Sequence, residues 1–209
     1  MERMERDQFL SVGRKAPAFS ALDQSGARRT LKEFAGRPLV LYFYPKDDTS
    51  GCTVEACSFR DAWSRFRKAG AEVLGVSPDG AASHVKFIGK FKLPFALLAD
   101  EPAGKKPPPV CSAYGTWVEK SMYGKKYMGV ARTTYVIGPD GRIAARFDKV
   151  KPEGHAEEVL AAIAALGSAP CKAVPSTSAS SASALARKSP RTRPSTPRAS
   201  TSTRASKHR

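Results

Sequence analysis

The spacing of apolar residues along the chain is typical of strands in some segments and of helices in others. Residues 39–44 form an uninterrupted apolar and aromatic run between Pro38 and Pro45, which is typical of a central strand buried on both faces. From Cys52 to Phe66 the apolar positions recur three or four residues apart, as in an amphipathic helix. The sequence therefore predicts a buried strand followed at once by a helix.

The segments after this helix continue the alternation. Gly70 is expected to end the helix, and the turn at Pro139-Asp140-Gly141 is expected to join two strands of a hairpin. The predicted elements are a strand at 72–77, a helix at 81–91, a strand at 95–98, a hairpin of 133–137 with 142–147, and a helix at 155–166 that buries Val159, Ile163 and Leu166. This order predicts an α/β protein with a thioredoxin-like fold, in which helices flank a mixed central sheet.

The composition changes after Gly167. Residues 168–209 are rich in Ser, Thr, Ala and Pro, and they carry nine Lys and Arg residues and no acidic residue. Such a segment buries too little apolar surface to offset the entropy of ordering it. We therefore expect one folded domain at 1–167 and a disordered basic tail at 168–209, which supplies nine of the sixteen net positive charges.

Composition also bears on location. The chain of 209 residues is 41% hydrophobic and 26% charged, and it has no apolar run near the ~20 residues that cross a bilayer. Its first residues are charged, where a signal peptide is apolar. We expect a cytoplasmic protein without membrane contact. Four cysteines are too few for a disulfide scaffold, and in a reducing cytosol a disulfide is more often catalytic than structural.

Cys52 has the placement of a reactive thiol. It lies in the first turn of the predicted helix and at the carboxyl end of the buried strand, where open sheets place ligand sites. The free N–H groups and positive dipole end of a helix start favour a thiolate over a thiol. Cys57 lies ~7.5 Å further along the same helix and ~140° around it, whereas a disulfide needs Cα atoms within about 6.8 Å. A disulfide between the two therefore requires the first turns of the helix to unwind.

Two other interpretations of these cysteines stay open. A helical cysteine is often a small buried hydrophobic residue, although Cys52 follows a glycine and turn residues and has a second cysteine nearby. A zinc site is the other alternative, but structural zinc takes four ligands, and the sequence has neither a Cys-x-x-Cys motif nor a Cys/His cluster. We therefore do not expect a zinc site.

Residues 42–57 read YFYPKDDTSGCTVEAC, and this stretch resembles peroxiredoxins of the bacterioferritin comigratory protein, or peroxiredoxin Q, subfamily. The resemblance extends from Phe9 to Leu166. Further matching segments are 17–20, 75–77, 114–117 and 129–137. It implies a thioredoxin-like fold and a thiol peroxidase that reduces hydrogen peroxide and organic hydroperoxides. Such a peroxidase needs no metal or other cofactor.

The resemblance also implies roles for individual residues. Cys52 matches the peroxidatic cysteine of the motif Pro-x-x-x-Thr-x-x-Cys, in which Pro45 and Thr49 take the other two named positions. Arg132 matches the active-site arginine, and Cys57 matches the resolving cysteine that forms an intramolecular disulfide. Without the resemblance, Arg132 is best interpreted as a surface arginine that starts a strand.

A thioredoxin-like dithiol is the reductant that the resemblance implies, and an intramolecular disulfide leads us to expect a monomer. The chain departs from the family pattern at Ser50, where proline is common, and this change is expected to loosen the turn. We expect Cys111 to be a buried thiol and Cys171, in the tail, to be incidental.

The basic tail suggests a second function of a different class. Residues 188–198 resemble the Ser/Thr-Pro-basic repeats of linker-histone tails, which bind nucleic acid. Cations without anions predict weak, salt-dependent contact with phosphates and no reading of bases. A solvated tail without any partner is the other interpretation.

Overall fold

The computed structural model describes residues 9–122 and 124–167, so the predicted tail and Cys171 lie outside the described residues. The strands are β1 (Ser20–Asp23), β2 (Arg28–Thr30), β3 (Leu39–Phe43), β4 (Glu72–Ser77), β5 (Ala96–Ala99), β6 (Trp117–Met122), β7 (Lys125–Val130), β8 (Thr133–Ile137) and β9 (Ile143–Asp148). The helices are α1 (Ser50–Asp61), α2 (Trp63–Lys68), α3 (Ala81–Phe91), α4 (Pro109–Ala113) and α5 (His155–Gly167), with a short 3-10 helix at Leu31–Phe34.

Seven of these strands form one sheet in the order β2-β1-β5-β4-β3-β8-β9. The central strand β3 runs parallel to β4 and antiparallel to β8, and β4 runs parallel to β5. Strands β6 and β7 pair with each other as a separate hairpin. The predicted mixed sheet and the alternation of strands with helices are confirmed.

Strand β3 separates two apolar cores. All five of its residues are buried, and alternate side chains enter opposite cores because successive side chains of a strand point to opposite faces. Val40 and Tyr42 pack in the cluster that contains the apolar residues of α1, α3 and α5, while Leu39, Leu41 and Phe43 pack in the cluster that contains those of α4. Burial on both faces, predicted from the run at 39–44, is confirmed.

Several boundaries differ from the prediction. The single helix expected up to Gly70 is two helices that meet at Ala62, where ψ is near 0°. Strand β5 begins one residue later than expected, and Leu166 is only partly buried. The patterns of β1, β2, β6, β7 and α4 were too short or too exposed to be predicted; β7, for example, has four consecutive exposed residues.

No helix within the described ranges has the length and apolar content needed to span a bilayer.

Candidate active site

Cys52 sits at the start of α1, where the chain leaves the sheet. Residues 45–49 join β3 to α1, which begins at Ser50. Thr49 precedes the helix with an extended backbone, and its carbonyl accepts the N–H of Thr53 at 2.8 Å. The first N–H groups of any helix have no carbonyl partner within it. Cys52, which is 1% exposed, therefore lies among unpaired donors in the first turn of α1.

Arg132 places a permanent positive charge against this thiol. It lies in the short link between β7 and β8, and its Nη2 donates to Cys52 Sγ at 3.3 Å. Its Nη1 lies 3.4 Å from the carbonyl oxygen of Gly51 and also donates to Glu55 Oε2. The guanidinium is thus held between the thiol of Cys52 and the carboxylate of Glu55, so a permanent positive charge lies against the sulfur.

Glu55 is a site residue that the sequence analysis missed. It lies three residues after Cys52 on the same face of α1, and it is fully buried. Burial raises the pKa of Glu55 to about 7, against the opposing effect of Arg132. Its Oε1 has no hydrogen-bond partner among the described residues. The sequence did indicate a role for Glu55, because it places a carboxylate on the buried face of the predicted helix, and a buried carboxylate needs a cation beside it.

Cys57 lies further along α1 and faces a different environment. It is partly exposed and lines a groove of about 550 Å³ that also contains Val54 and Pro152. Within the described residues, neither Cys52 nor Cys57 is in a disulfide, and both belong to the helix Ser50–Asp61. The expected condition holds: the two sulfurs lie in one continuous helix, so joining them requires this helix to unwind.

Comparison with known proteins assigns the chain to a family. The model of the AhpC/TSA family matches residues 12–146. The chain belongs to this family. Peroxiredoxin Bcp of Escherichia coli is 42% identical over 151 residues, which cover 72% of this chain and 94% of the relative. Peroxiredoxin Bcp of Bacillus subtilis is 40% identical over 151 residues, which cover 72% of this chain and 93% of that relative.

A solved structure agrees with this assignment. The bacterioferritin comigratory protein of Xanthomonas campestris, studied for insight into its alkyl peroxide reduction activity, matches with a TM-score of 0.67 and 39% identity. The match covers 74% of this chain and 98% of that protein. The predicted resemblance is confirmed: the chain is a peroxiredoxin with a thioredoxin-like fold, and its activity is that of a thiol peroxidase.

The two other residues of the peroxiredoxin motif flank the loop before α1. Pro45 is partly buried directly after Tyr44, and Thr49 is exposed. The Thr49 hydroxyl donates to the carbonyl oxygen of Lys46 at 3.2 Å. The structure thus brings Arg132 against Cys52, while a hydrogen bond from Thr49 to the sulfur or to peroxide stays a prediction.

Lys120 contributes a second cation near the peroxiredoxin site. Its Nζ donates to the carbonyl oxygen of Val130, two residues before Arg132, at 2.6 Å. Burial lowers the pKa of Lys120, as does the nearby positive charge of Arg132, whereas the charge of Cys52 acts in the opposite direction. Its position on β6 gave no signal in the sequence because the strand itself was not predicted.

Cys111 is buried, as predicted, and its surroundings differ from those of Cys52. Burial raises the pKa of its thiol far above the ordinary value, and the Asp100 carboxylate raises it further.

The described residues contain no cluster of three or more side chains suited to hold a metal ion.

Proposed function

We propose that Cys52 is the peroxidatic cysteine of this thiol peroxidase and that Cys57 resolves it within the same chain. The observation that carries the proposal is the 3.3 Å hydrogen bond from Arg132 Nη2 to the buried Cys52 Sγ. A guanidinium at this distance favours the thiolate, which is the nucleophilic form of cysteine.

The first half of the cycle oxidises Cys52. The thiolate attacks one oxygen of the peroxide, the O–O bond breaks, and the leaving hydroxide or alkoxide takes a proton to become water or an alcohol. Cys52 is left as a sulfenic acid. Arg132 and the unpaired N–H groups of the first turn stabilise the negative charge that moves along the breaking bond. Pro45, which lacks an N–H, helps to keep water from the thiolate.

The second half restores the thiol. The Cys57 thiol attacks the sulfenic sulfur, a disulfide forms, and water leaves. A thioredoxin-like dithiol then reduces this disulfide by exchange and becomes oxidised itself. Partial exposure of Cys57 beside the groove supports this assignment, because an external thiol has to reach one of the two sulfurs.

Hydrogen peroxide and organic hydroperoxides are the proposed substrates, in line with alkyl peroxide reduction by the Xanthomonas campestris relative. We also propose a monomer in the cytoplasm. An intramolecular disulfide needs no partner subunit, and the cytosol supplies dithiol reductants. Size-exclusion chromatography of the reduced and the oxidised protein tests the monomer; a dimer in either form contradicts it.

Peptide mapping tests the cycle directly. After one equivalent of hydrogen peroxide, we expect a peptide pair that joins Cys52 to Cys57. The Cys57→Ser variant should instead accumulate a Cys52 sulfenic acid that a dimedone probe captures. A link from Cys52 to Cys111, or a link between two chains, would overturn the assignment of Cys57.

Contact of the basic tail with nucleic acid stays a prediction, supported by nine cations without an anion in residues 168–209. Deletion of these residues should weaken retention on DNA at low salt and leave peroxidase activity unchanged. Equal retention with and without the tail contradicts this second function.

A further inference from the structure

A buried polar cluster fastens the loop between β3 and α1 to helix α3. Its centre is Asp47, which is 7% exposed. The Asp47 carboxylate accepts hydrogen bonds from the Tyr44 hydroxyl at 2.7 Å, from the Ser83 hydroxyl at 2.7 Å and from His84 Nδ1 at 2.8 Å. One side chain of the loop is thereby tied to the end of β3 and to the first turn of α3.

His84 is held from both sides of its ring. The ring is fully buried, and Nε2 lies 3.2 Å from the carbonyl oxygen of Leu98, on the opposite side from Asp47. Burial raises the pKa of Asp47, but hydrogen bonds from His84 and Ser83 outweigh it and keep the pKa below its ordinary value. An ionised carboxylate only accepts hydrogen bonds, so His84 Nδ1 donates to Asp47, and the two side chains form a buried hydrogen-bonded pair.

The pair acts at the start of the segment that must move. The N–H of Asp47 donates to Asp79 Oδ2 at 2.7 Å, which ties the loop to the turn after β4 as well. The next residue, Asp48, has φ of 53°, a conformation that costs free energy in any residue with a side chain. Cys52 follows four residues later. The chain is thus anchored directly before the turn of α1 whose unwinding the disulfide requires.

We propose that Asp47 and His84 are positioning residues that set the balance between two states of the first turn of α1. In the folded state Cys52 reacts with peroxide, and in the unwound state it reaches Cys57. This inference deepens the proposed function and rests on it. Removal of one partner of a buried hydrogen-bonded pair leaves the other partner unsatisfied, so either single change destabilises the anchored loop and favours the unwound turn.

The fate of the Cys52 sulfenic acid reports this balance. In the unwound turn it condenses with the Cys57 thiol, which forms the disulfide and releases water. In the folded turn Cys57 is out of reach, and a second peroxide molecule transfers an oxygen atom to the sulfur, which gives sulfinic acid and water. The ratio of disulfide to sulfinic acid at a given peroxide concentration therefore measures how readily the turn unwinds.

The experiment compares His84→Gln and Asp47→Asn with Lys90→Ala. Lys90 Nζ binds the Asp48 carboxylate at 2.7 Å and so joins the same loop to the same helix, but through an exposed ion pair of the kind that contributes little. Each protein is treated with increasing hydrogen peroxide, and mass spectrometry measures sulfinic acid and disulfide at Cys52.

We expect the peroxide concentration that gives equal amounts of the two products to rise about tenfold or more in His84→Gln and in Asp47→Asn. Initial oxidation of Cys52 should be slower in both. Lys90→Ala should stay within about twofold of the parent protein, and the double variant should resemble the single ones, since each already breaks the same pair.

Two results would overturn the inference. One is a His84→Gln protein that gives the same ratio of disulfide to sulfinic acid as Lys90→Ala, while its Cys52 is still oxidised at the normal rate. Another is a parent protein whose Cys52 is never oxidised, which removes the proposed function and the inference with it.

Discussion

Cys52 and Cys111 occupy the same position in two helices of this peroxiredoxin. Each is the third residue of its helix, α1 or α4, and each is almost fully buried, at 1% and 0% exposure. Burial and helix position are therefore matched between the two thiols, and any difference in their chemistry has to come from their neighbours.

Those neighbours have opposite charge. At Cys52 the Arg132 guanidinium donates to the sulfur. At Cys111 the Asp100 carboxylate accepts the N–H groups of Val110 and of Cys111 itself, at 2.9 and 2.7 Å, and so occupies the helix start with a negative charge. The same helix position thus faces a cation in one helix and a carboxylate in the other, and at Cys111 the carboxylate adds to burial in raising the pKa of the thiol. Because burial is matched, we expect the adjacent charge to decide which of the two cysteines reacts.

The largest expected effect separates the two thiols by substitution. Cys52→Ser should reduce peroxide turnover by at least about 10⁴-fold, because the nucleophile is lost. Cys111→Ser should retain turnover and cost about 1–3 kcal/mol of stability, since a hydroxyl is buried in place of a thiol. Peroxide consumption coupled to thioredoxin and its reductase measures the first effect, and urea unfolding measures the second. A folded Cys111→Ser protein without activity would break the comparison.

The charge of Arg132 can be tested separately from its shape. Arg132→Gln should slow oxidation of Cys52 about 100-fold or more, as removal of a single charge-stabilising donor does in other enzymes. Arg132→Lys should cause a smaller loss of about tenfold, because an ammonium keeps the charge but not the planar fork that contacts both Cys52 and Glu55. Stopped-flow kinetics of the reduced protein gives the rates. The exposed Arg142→Gln serves as a control, and an equal loss in that variant would rule out a local effect.

A single methyl group offers a finer test of the arginine's position. A Cβ on Gly51 would lie 3.2 Å from Arg132 Nη2 and 3.8 Å from Pro152 Cγ, so Gly51→Ala should displace the guanidinium and slow the reaction by about tenfold. Stability should hold or rise, because alanine favours a helix over glycine by about 1 kcal/mol. The matched control is Gly89→Ala in α3, where a Cβ meets nothing within 4 Å. That variant should gain stability without losing rate; a loss of rate there would mean that helix stiffness, not the position of Arg132, is responsible.

The sequence predicted those parts of the site that depend on neighbouring residues. The apolar run of β3 and the helical period after Cys52 are local patterns, so the placement of Cys52 at a helix start followed from them. The break between α1 and α2 at Ala62 did not follow from the sequence, because the apolar period continues across it.

The remaining site residues depend on contacts between distant segments. Glu55 is buried because Arg132, 77 residues later, pairs with it. His84 is buried because Asp47, 37 residues earlier, supplies a hydrogen-bond partner for its ring. In the sequence each is one more polar residue of a helix, and only the packing of α1 and α3 against other segments gives it a partner. Resemblance to the family identified Arg132 but not the carboxylate that orients it.

The smallest expected effect on turnover, and a clear one on stability, concerns Glu55. Its pKa rises from the ordinary value of 4.5 to about 7 in the folded chain, through burial. The folded state therefore binds this proton more tightly than the unfolded state, and the stability it confers is complete below pH 4.5 and lost as the pH rises through about 7. Over that range the parent protein should lose on the order of 3 kcal/mol through this group.

The Glu55→Gln variant has no carboxyl group to ionise at this position, so the urea concentration at its unfolding midpoint should vary less with pH over the same range. Its turnover should change by less than about tenfold, because Arg132 keeps its contact with Cys52. Urea unfolding at a series of pH values gives, for each protein, the slope of the unfolding midpoint against pH. The exposed Glu153→Gln is the matched control and should keep the parent slope. If Glu55→Gln also keeps it, Glu55 stays ionised across the range, and Arg132 is shared between two full negative charges at the site that distinguishes Cys52 from Cys111.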